Sequence, residues 1–596
     1  MKQFFVTLLA IFTSLILFVG VLSIIIFFSV RESSPDVKDG SVLVLDLNQP
    51  ISDRPVTVDP SEFAQNLFTG GGISSTFTLR ELSKTIQYAA TDDRIKGLYL
   101  TGSVPTGGTY YSGSATLREF RDALKVFKES EKPIYAYNTS YNMRSYYLAS
   151  LADSVFIHPF GSVSITGFST SRTFYKNAID RFGVKFYISR VGAYKSALEP
   201  YFRSEMSDED EEQRMLLLDA HYAQFANDVS ESRGKNIDEI HELSSNVQLL
   251  NDAQFALEKG LVDRVTYYDE LLAALRQFTG VEDESKPFTQ INYSTYAEAV
   301  KKELKTKSDQ KIALFYAEGG IVGGSGTSDV AADYTARTLR SIRTDDDVKA
   351  VVMRVNSPGG GVTPSEVILR EMRLLAEVKP VIVSMGNVAA SGGYWISTYS
   401  DYIYAMPTTI TGSIGVYSMF PVFDEIAGDY GFTFDSIKTH PFADLRTSDR
   451  SPTDEEWTII DNSTKQIYEN FLSRVSEGRE LNRDDVHDIA QGRVWTGSDA
   501  LGLGLVDELG GLEAAILKAA EHAELEEWEV KTYLRAEDFK TQLLKNFGVN
   551  LGVAGVEDAT HSSRIGRQIW NALSFINQHN DPAGVYARLP YDIVIE

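Results

Sequence analysis

The 596-residue chain is predicted to be an α/β protein, two tandem repeats of parallel β-sheet with crossover helices preceded by one transmembrane helix. Three observations predict this. The amino-terminal stretch Phe4–Val30 contains no charged residue. The rest of the chain resembles itself at a nearly constant offset. Within each copy, short β-branched runs alternate with helical patterns, which implies a parallel sheet.

The apolar stretch comes first. As a helix rising 1.5 Å per residue it is long enough to cross a ~30 Å hydrocarbon layer with some tilt. A cleaved signal peptide would have a shorter apolar run followed by a small-residue cleavage site, and no such site follows here. Lys2 precedes the span, while Arg31, Glu32, Asp36, Lys38 and Asp39 follow it. The positive-inside rule then puts the amino terminus in the cytoplasm and the bulk of the chain outside the cytoplasmic membrane. A net charge of −25 argues against nucleic acid as the main partner. With no cysteine, disulfides, thiolate metal sites and a cysteine nucleophile are ruled out.

The repeats follow. Thr91-Asp92-Asp93-Arg94-Ile95-Lys96-Gly97 resembles Thr344-Asp345-Asp346-Asp347-Val348-Lys349-Ala350, and Lys132-Pro133 matches Lys379-Pro380. Tyr146 and Asp153 match Tyr394 and Asp401, and Gly260-Leu261-Val262-Asp263 matches Gly504-Leu505-Val506-Asp507. The expected organisation is an anchor and short linker (1–39), a first repeat (40–279), a connection (280–310), a second repeat (311–544) and an extension (545–596). In the second repeat Ala350–Val355 and Val381–Met385 read as buried strands. Thr363 is expected to cap a helix, with Pro364 at its first position and Glu366 completing a capping box. Ser391–Asp401 reads as the next helix.

Two glycine-rich turns, Asn356-Ser357-Pro358-Gly359-Gly360-Gly361 and Ala389-Ala390-Ser391-Gly392-Gly393, each join a strand to a helix. Helix amino termini present outward N–H groups, and glycine admits a reacting carbonyl close to them. A tight structural turn explains either one alone, but such a turn would be needed equally in both copies. The first copy instead has Met143 opposite Ser391, and Val104-Pro105-Thr106-Gly107-Gly108 for the first turn. The same offset sets Lys195 opposite Ala443. One repeat thus carries a lysine without a serine, and the other a serine without a lysine. His440 offers an alternative base in a Ser-His-Asp arrangement. Crotonase-like acyl-CoA chemistry and an inactive membrane scaffold are rival classes. No metal-ligand spacing is present, and Gly359–Gly361 lacks the lysine of a phosphate loop.

Taken together, Ala390-Ser391-Gly392-Gly393-Tyr394-Trp395, Ser357-Pro358-Gly359-Gly360, Thr411-Gly412-Ser413-Ile414-Gly415 and Tyr194-Lys195-Ser196 resemble the long form of the signal peptide peptidase A family. Arg493-Val494-Trp495-Thr496-Gly497 and Gly504–Asp507 extend the resemblance over nearly the whole chain. It implies a repeated Clp protease/crotonase-like fold, a homotetramer on the outer face of the cytoplasmic membrane, and degradation of signal peptides left in the bilayer. No cofactor is implied. Ser391 would be the nucleophile and Lys195 the general base, with Ser413 orienting the amine. Backbone N–H groups of Gly359 or Gly360 and of Gly392 would receive the oxyanion, each worth ~3 kcal/mol. A lysine accepts a proton only when neutral, so burial must bring its pKa down from ~10.4.

Overall fold

The computed structural model describes residues 35–55, 76–105, 111–326, 330–533 and 585–589. The expected membrane anchor lies outside them, as does most of the extension and part of the turn at 104–108. Among the described residues no helix is long and apolar enough to cross a membrane.

Two parallel sheets form the body. The first has the order Arg264–Val265, Ser154–Ile157, Ile134–Asn138, Ile95–Thr101, Ser41–Asp46 and Gln290–Asn292. The second repeats that order with Glu508–Leu509, Tyr402–Ala405, Val381–Ala390, Val348–Ser357, Lys311–Glu318 and Glu529–Tyr533, and branches at the end of Val381–Ala390 into Ile410–Gly412 and the antiparallel Val494–Thr496. Helices Ser114–Glu129 and Val362–Ala376 occupy equivalent crossovers. Every residue of Val381–Ala390 is buried, as expected for a strand covered on both faces.

The matched sequence positions make the same bonds in both copies. Tyr146 Oη donates to Leu261 O, and Tyr394 Oη to Leu505 O. The Lys132 amine closes the loop end at Ala89 O and Asp92 O, as Lys379 does at Ile342 O and Asp345 O. Asp153 and Asp401 each accept the N–H that opens the adjacent strand, Ile134 and Val381. Asp263 and Asp507 accept the N–H of a strand's second residue, Val155 in Ser154–Ile157 and Ile403 in Tyr402–Ala405. These side chains satisfy backbone groups at strand ends that would otherwise be stranded in the interior, which is why they recur.

The two units are bolted together by buried polar groups. Arg354, fully buried, donates to Asp53 (2.8 Å) and Ser384 (2.7 Å) and also meets Glu119. Asn387 accepts from the Thr116 N–H and donates to its hydroxyl, and an added Cβ on Gly113 would strike the Asn387 amide at 2.4 Å.

A third, mixed sheet crosses the boundary between the repeats. It runs Val330–Ala331, Ile321–Val322, Gly359–Gly361, Tyr586–Arg588, Val416–Val422, Lys185–Val191. The last strand comes from the first half of the chain and pairs antiparallel with Val416–Val422 along seven residues.

Two local expectations need correction. The helix expected to start at Pro364 with Thr363 as its cap begins two residues earlier, at Val362, with Gly361 at its N-cap and no side-chain cap bond. Gly361 is the end of a β-strand, so the chain passes directly from sheet to helix. Glu366 therefore does not close a capping box and instead accepts from Trp395 Nε1 and from Arg474. The helix expected over Ser391–Asp401 is a single turn, Gly392–Trp395. Hydroxyls of Ser397 and Ser400 bond back to Gly393 O and Ser397 O, and Asp401 is held by Val381 N–H. Such local serine-to-backbone bonds compete with helix continuation.

Candidate active site

The lysine arrives on the boundary sheet. After Lys185–Val191 the chain turns at Gly192, whose φ of +112° is open to glycine, and an added Cβ there would lie 2.4 Å from Gln491 O. Tyr194 N–H donates to that same oxygen at 2.9 Å. Lys195 follows, fully buried. Its Nζ lies 2.7 Å from Ser391 Oγ and 3.0 Å from both the carbonyl and the hydroxyl oxygen of Ser413. None of these partners is charged. Burial alone pushes the Lys195 amine well below the ordinary lysine range, because an ammonium withdrawn from water without a counter-ion is costly.

The serine sits at the end of the fully buried strand Val381–Ala390. Its backbone has φ 56° and ψ −113°, and its N–H donates to Gly412 O at 2.8 Å. A positive φ of this kind is ordinarily occupied by glycine and bends the chain sharply. Such a bend pushes the side chain outward from a strand-to-helix turn. The first repeat closes the equivalent connection with Asn142 in ordinary extended geometry, its side chain capping the helix at Ser145 N–H. Ser391 makes no such cap bond, so its hydroxyl is available to the lysine. Ser413 is also held at positive φ, 50°, with its N–H on Arg493 O and its hydroxyl 3.3 Å from Gly492 O.

The glycines separate into different tasks. Gly359, at φ +95°, donates its N–H to Ser357 Oγ at 3.2 Å. An added Cβ on Gly359 would lie 2.5 Å from the Gly392 nitrogen, and one on Gly392 would lie 3.0 Å from the Gly360 nitrogen. Gly360 and Gly392 thus bring their nitrogens to one spot beside the Ser391 turn. His440, the alternative base, is exposed, with Nδ1 3.1 Å from Thr439 Oγ1. Among the described residues no group of three or more acidic or histidine side chains is placed to hold a metal ion.

Three features escaped the sequence reading. Gly492 packs directly against the lysine backbone, and a Cβ there would lie 2.6 Å from Lys195 Cβ. It stands just before the quoted Arg493-Val494-Trp495 run, and that adjacency was the available signal. Asp210 anchors the residue after the lysine, accepting from Ser196 Oγ at 2.6 Å and from Arg172 and Arg214 at 2.6 and 3.0 Å. Burial would raise its carboxyl, but the two guanidiniums outweigh it and hold the group below the usual carboxylate range. The third is the strand Tyr586–Arg588, which lies on Gly359–Gly361.

The fold and these groups invite comparison with known enzymes. Residues 126–282 and 373–526 match Peptidase family S49, and residues 303–410 match Clp protease. Protease 4 of Salmonella typhi is 35% identical over 509 residues, covering 82% of this chain and 80% of that protein. Protease 4 of Haemophilus influenzae is 33% identical over 587 residues, covering 95% and 93%. The chloroplastic serine protease SPPA of Arabidopsis thaliana is 31% identical over 500 residues, covering 82% and 70%. The chain is an α/β serine peptidase with tandem domains of the Clp protease kind. It belongs to peptidase family S49.

Proposed function

We propose that the chain is a membrane-anchored endopeptidase that uses a Ser391/Lys195 dyad to degrade cleaved signal peptides remaining in the cytoplasmic membrane. The observation that carries the dyad is the 2.7 Å approach of a fully buried, counter-ion-free amine to the Ser391 hydroxyl. The neutral Lys195 amine takes the hydroxyl proton as Ser391 Oγ attacks a peptide carbonyl. The developing oxyanion meets the N–H groups of Gly360 and Gly392. The lysine then passes its proton to the leaving amine and activates the water that hydrolyses the ester. Ser413 holds Nζ through two oxygens, which fixes its direction as the proton moves. Gly359 serves the turn rather than the oxyanion, since its N–H is engaged by Ser357.

Signal peptides and a homotetramer rest on the sequence resemblance, and a single membrane span at Phe4–Val30 with the peptidase part on the outer face rests on the length of the uncharged apolar run and the charges beside it. The division into a lysine-bearing repeat at 40–279 and a serine-bearing repeat at 311–544 rests on the internal matches and the two equivalent sheets.

The test is hydrolysis of a fluorogenic apolar peptide. Ser391→Ala and Lys195→Ala should each lose at least about 10³-fold in kcat, as expected for a nucleophile and its base. Lys195→Arg should not recover activity, because guanidinium stays protonated. More than a few per cent of wild-type turnover in Ser391→Ala would reject the nucleophile. Full activity in Lys195→Ala would move the base to another residue.

A further inference from the structure

The long helix Asp208–Arg233 lies beside the lysine turn. Its opening turns bury Asp210, Gln213, Arg214 and Leu217, a spacing that puts all four on one helical stripe. Gln213 is 1% exposed. Its amide nitrogen lies 3.1 Å from Tyr194 O and 3.1 Å from Ser196 Oγ, groups on either side of Lys195. Its amide oxygen accepts the Val494 N–H at 3.4 Å. Val494–Thr496 is the outermost strand of its branch, and among the described residues no further strand lies beyond it to take that N–H. Val494 pairs with Gly412, whose carbonyl accepts the Ser391 N–H at 2.8 Å. One side chain therefore links the backbone around the lysine to the strand pair that holds the serine turn.

Neighbouring contacts hold this link in place. Arg172 donates to the Ser196 and Ala197 carbonyls at 2.7 and 3.0 Å, while Asp210 takes the Ser196 hydroxyl and Arg214. One helical turn beyond Gln213, Leu217 packs with Val388, Ala390 and Val494. On the outer side the Arg493 guanidinium lies 4.7 Å from the Tyr194 ring and 4.5 Å from the Trp495 ring, and it donates to Glu212 at 2.9 Å. The second repeat carries the same 26-residue helix at Asp454–Arg479, capped by Thr453 as the first is by Ser207. Counted from those caps, the residue corresponding to Gln213 is Ile459, which is 37% exposed. The buried amide thus belongs to the copy that has the lysine and is missing from the copy that lacks it.

We infer that Gln213 is a positioning residue for the proton transfer, holding the Lys195 turn of the first repeat against the serine strand pair of the second and so setting the distance from Nζ to Oγ. This rests on the Ser391/Lys195 reading. Gln213 touches neither reacting atom and acts through the carbonyl before Lys195 and the hydroxyl after it. An amide suits the task because it donates and accepts from one planar group. It also brings no charge beside a lysine that must be neutral. A carboxylate in its place would favour the ammonium, and an apolar side chain would take the acceptor from the Val494 N–H and cut the link. Misplacing reacting groups by about 1 Å costs on the order of 10²-fold in rate, so a loosened turn weakens catalysis without touching peptide binding.

Steady-state hydrolysis of the fluorogenic peptide across a range of pH, by the full chain in detergent, tests this with two variants. Gln213→Met keeps the length and loses every hydrogen bond; Gln213→Glu keeps the shape and the acceptor and loses the donor. Gln213→Met should lose about 10- to 100-fold in kcat with KM within about twofold of wild type. The rising limb of its pH profile should move alkaline as water reaches the amine. Gln213→Glu should also lose kcat and move the limb further the same way, because its charge favours the ammonium. A merely structural side chain would lower Tm and leave kcat per folded chain and the rising limb at their wild-type values. That result overturns the proposal, and Gln213→Glu decides alone should Gln213→Met not fold. Full activity in Lys195→Ala would reject the dyad reading instead, whereas an inactive Lys195→Ala beside unaltered kinetics in folded Gln213→Met would reject only the part given to Gln213.

Discussion

Ser391 occupies a backbone conformation, φ 56° and ψ −113°, that costs a residue with a Cβ about 1–3 kcal/mol and costs glycine almost nothing. Ser391→Gly and Ser391→Ala both lack the hydroxyl, so their stabilities isolate the strain. Chemical denaturation should find Ser391→Gly more stable than Ser391→Ala by roughly 1 kcal/mol; equal midpoints would mean the turn relaxes around alanine. Lys195 gives the second prediction at this scale. Its pKa in the folded chain lies well below the unfolded value of ~10.4. Between those two values the unfolded chain binds more protons, so stability rises with pH through that window and is lost as pH falls toward the folded pKa. Peptidase activity should rise with pH in the same direction, as the neutral amine forms. Lys195→Met should flatten this part of the stability profile, measured as Tm against pH. The sequence drew attention to Ser391 and Lys195 because each repeat holds what the other lacks. It offered no choice between Gly359 and Gly360, since that depends on where the Ser357 hydroxyl points. Gly492 was invisible for a similar reason, because its contact with Lys195 joins residues almost three hundred apart.

The strand Lys311–Glu318 ends at the seam between the repeats, and its last residue is sensitive to pH. Burial and the nearby Asp53 carboxylate raise Glu318 to about 7, with Arg54 at 3.7 Å only partly opposing them. The folded chain therefore binds this proton more tightly than the unfolded one. Its stabilisation is complete below the unfolded pKa and is lost as pH rises through about 7. Glu318→Gln should leave stability unchanged near pH 4 and raise it by about 2–3 kcal/mol at pH 8. Matching wild-type and mutant profiles would show that the seam admits water. At this scale the central strands are readable from their β-branched runs, though the run Val381–Met385 stops five residues before the strand does. Its continuation through Gly386 and Asn387 is buried because Asp53, Asn356 and Thr116 enclose those residues. The strand Gln290–Asn292 was hidden within a polar stretch, where Ile291 alone turns inward.

On the scale of the whole molecule, the tandem architecture was legible because paired Tyr, Lys and Asp residues anchor the same strand ends twice. The boundary sheet was not, because local patterning carries no trace of a pairing between Lys185–Val191 and Val416–Val422. That sheet carries the lysine to the serine within one chain. Coexpressed Ser391→Ala and Lys195→Ala chains, verified as mixed oligomers, should therefore stay inactive toward peptides; substantial recovery would mean that neighbouring chains exchange their halves. The crossing also orders events in time. The proposed dyad joins residues 196 positions apart, and pairing between such distant residues closes slowly. During synthesis the first repeat emerges and folds carrying an amine with nothing to activate. Serine, glycine turns and receiving strand exist only after most of the chain has been made. A ribosome-bound or partly degraded chain is thus harmless to its neighbours, and proteolytic competence becomes a report of completed assembly. In refolding, helical circular dichroism should return well before peptide hydrolysis, with the lag set by the docking of Lys185–Val191.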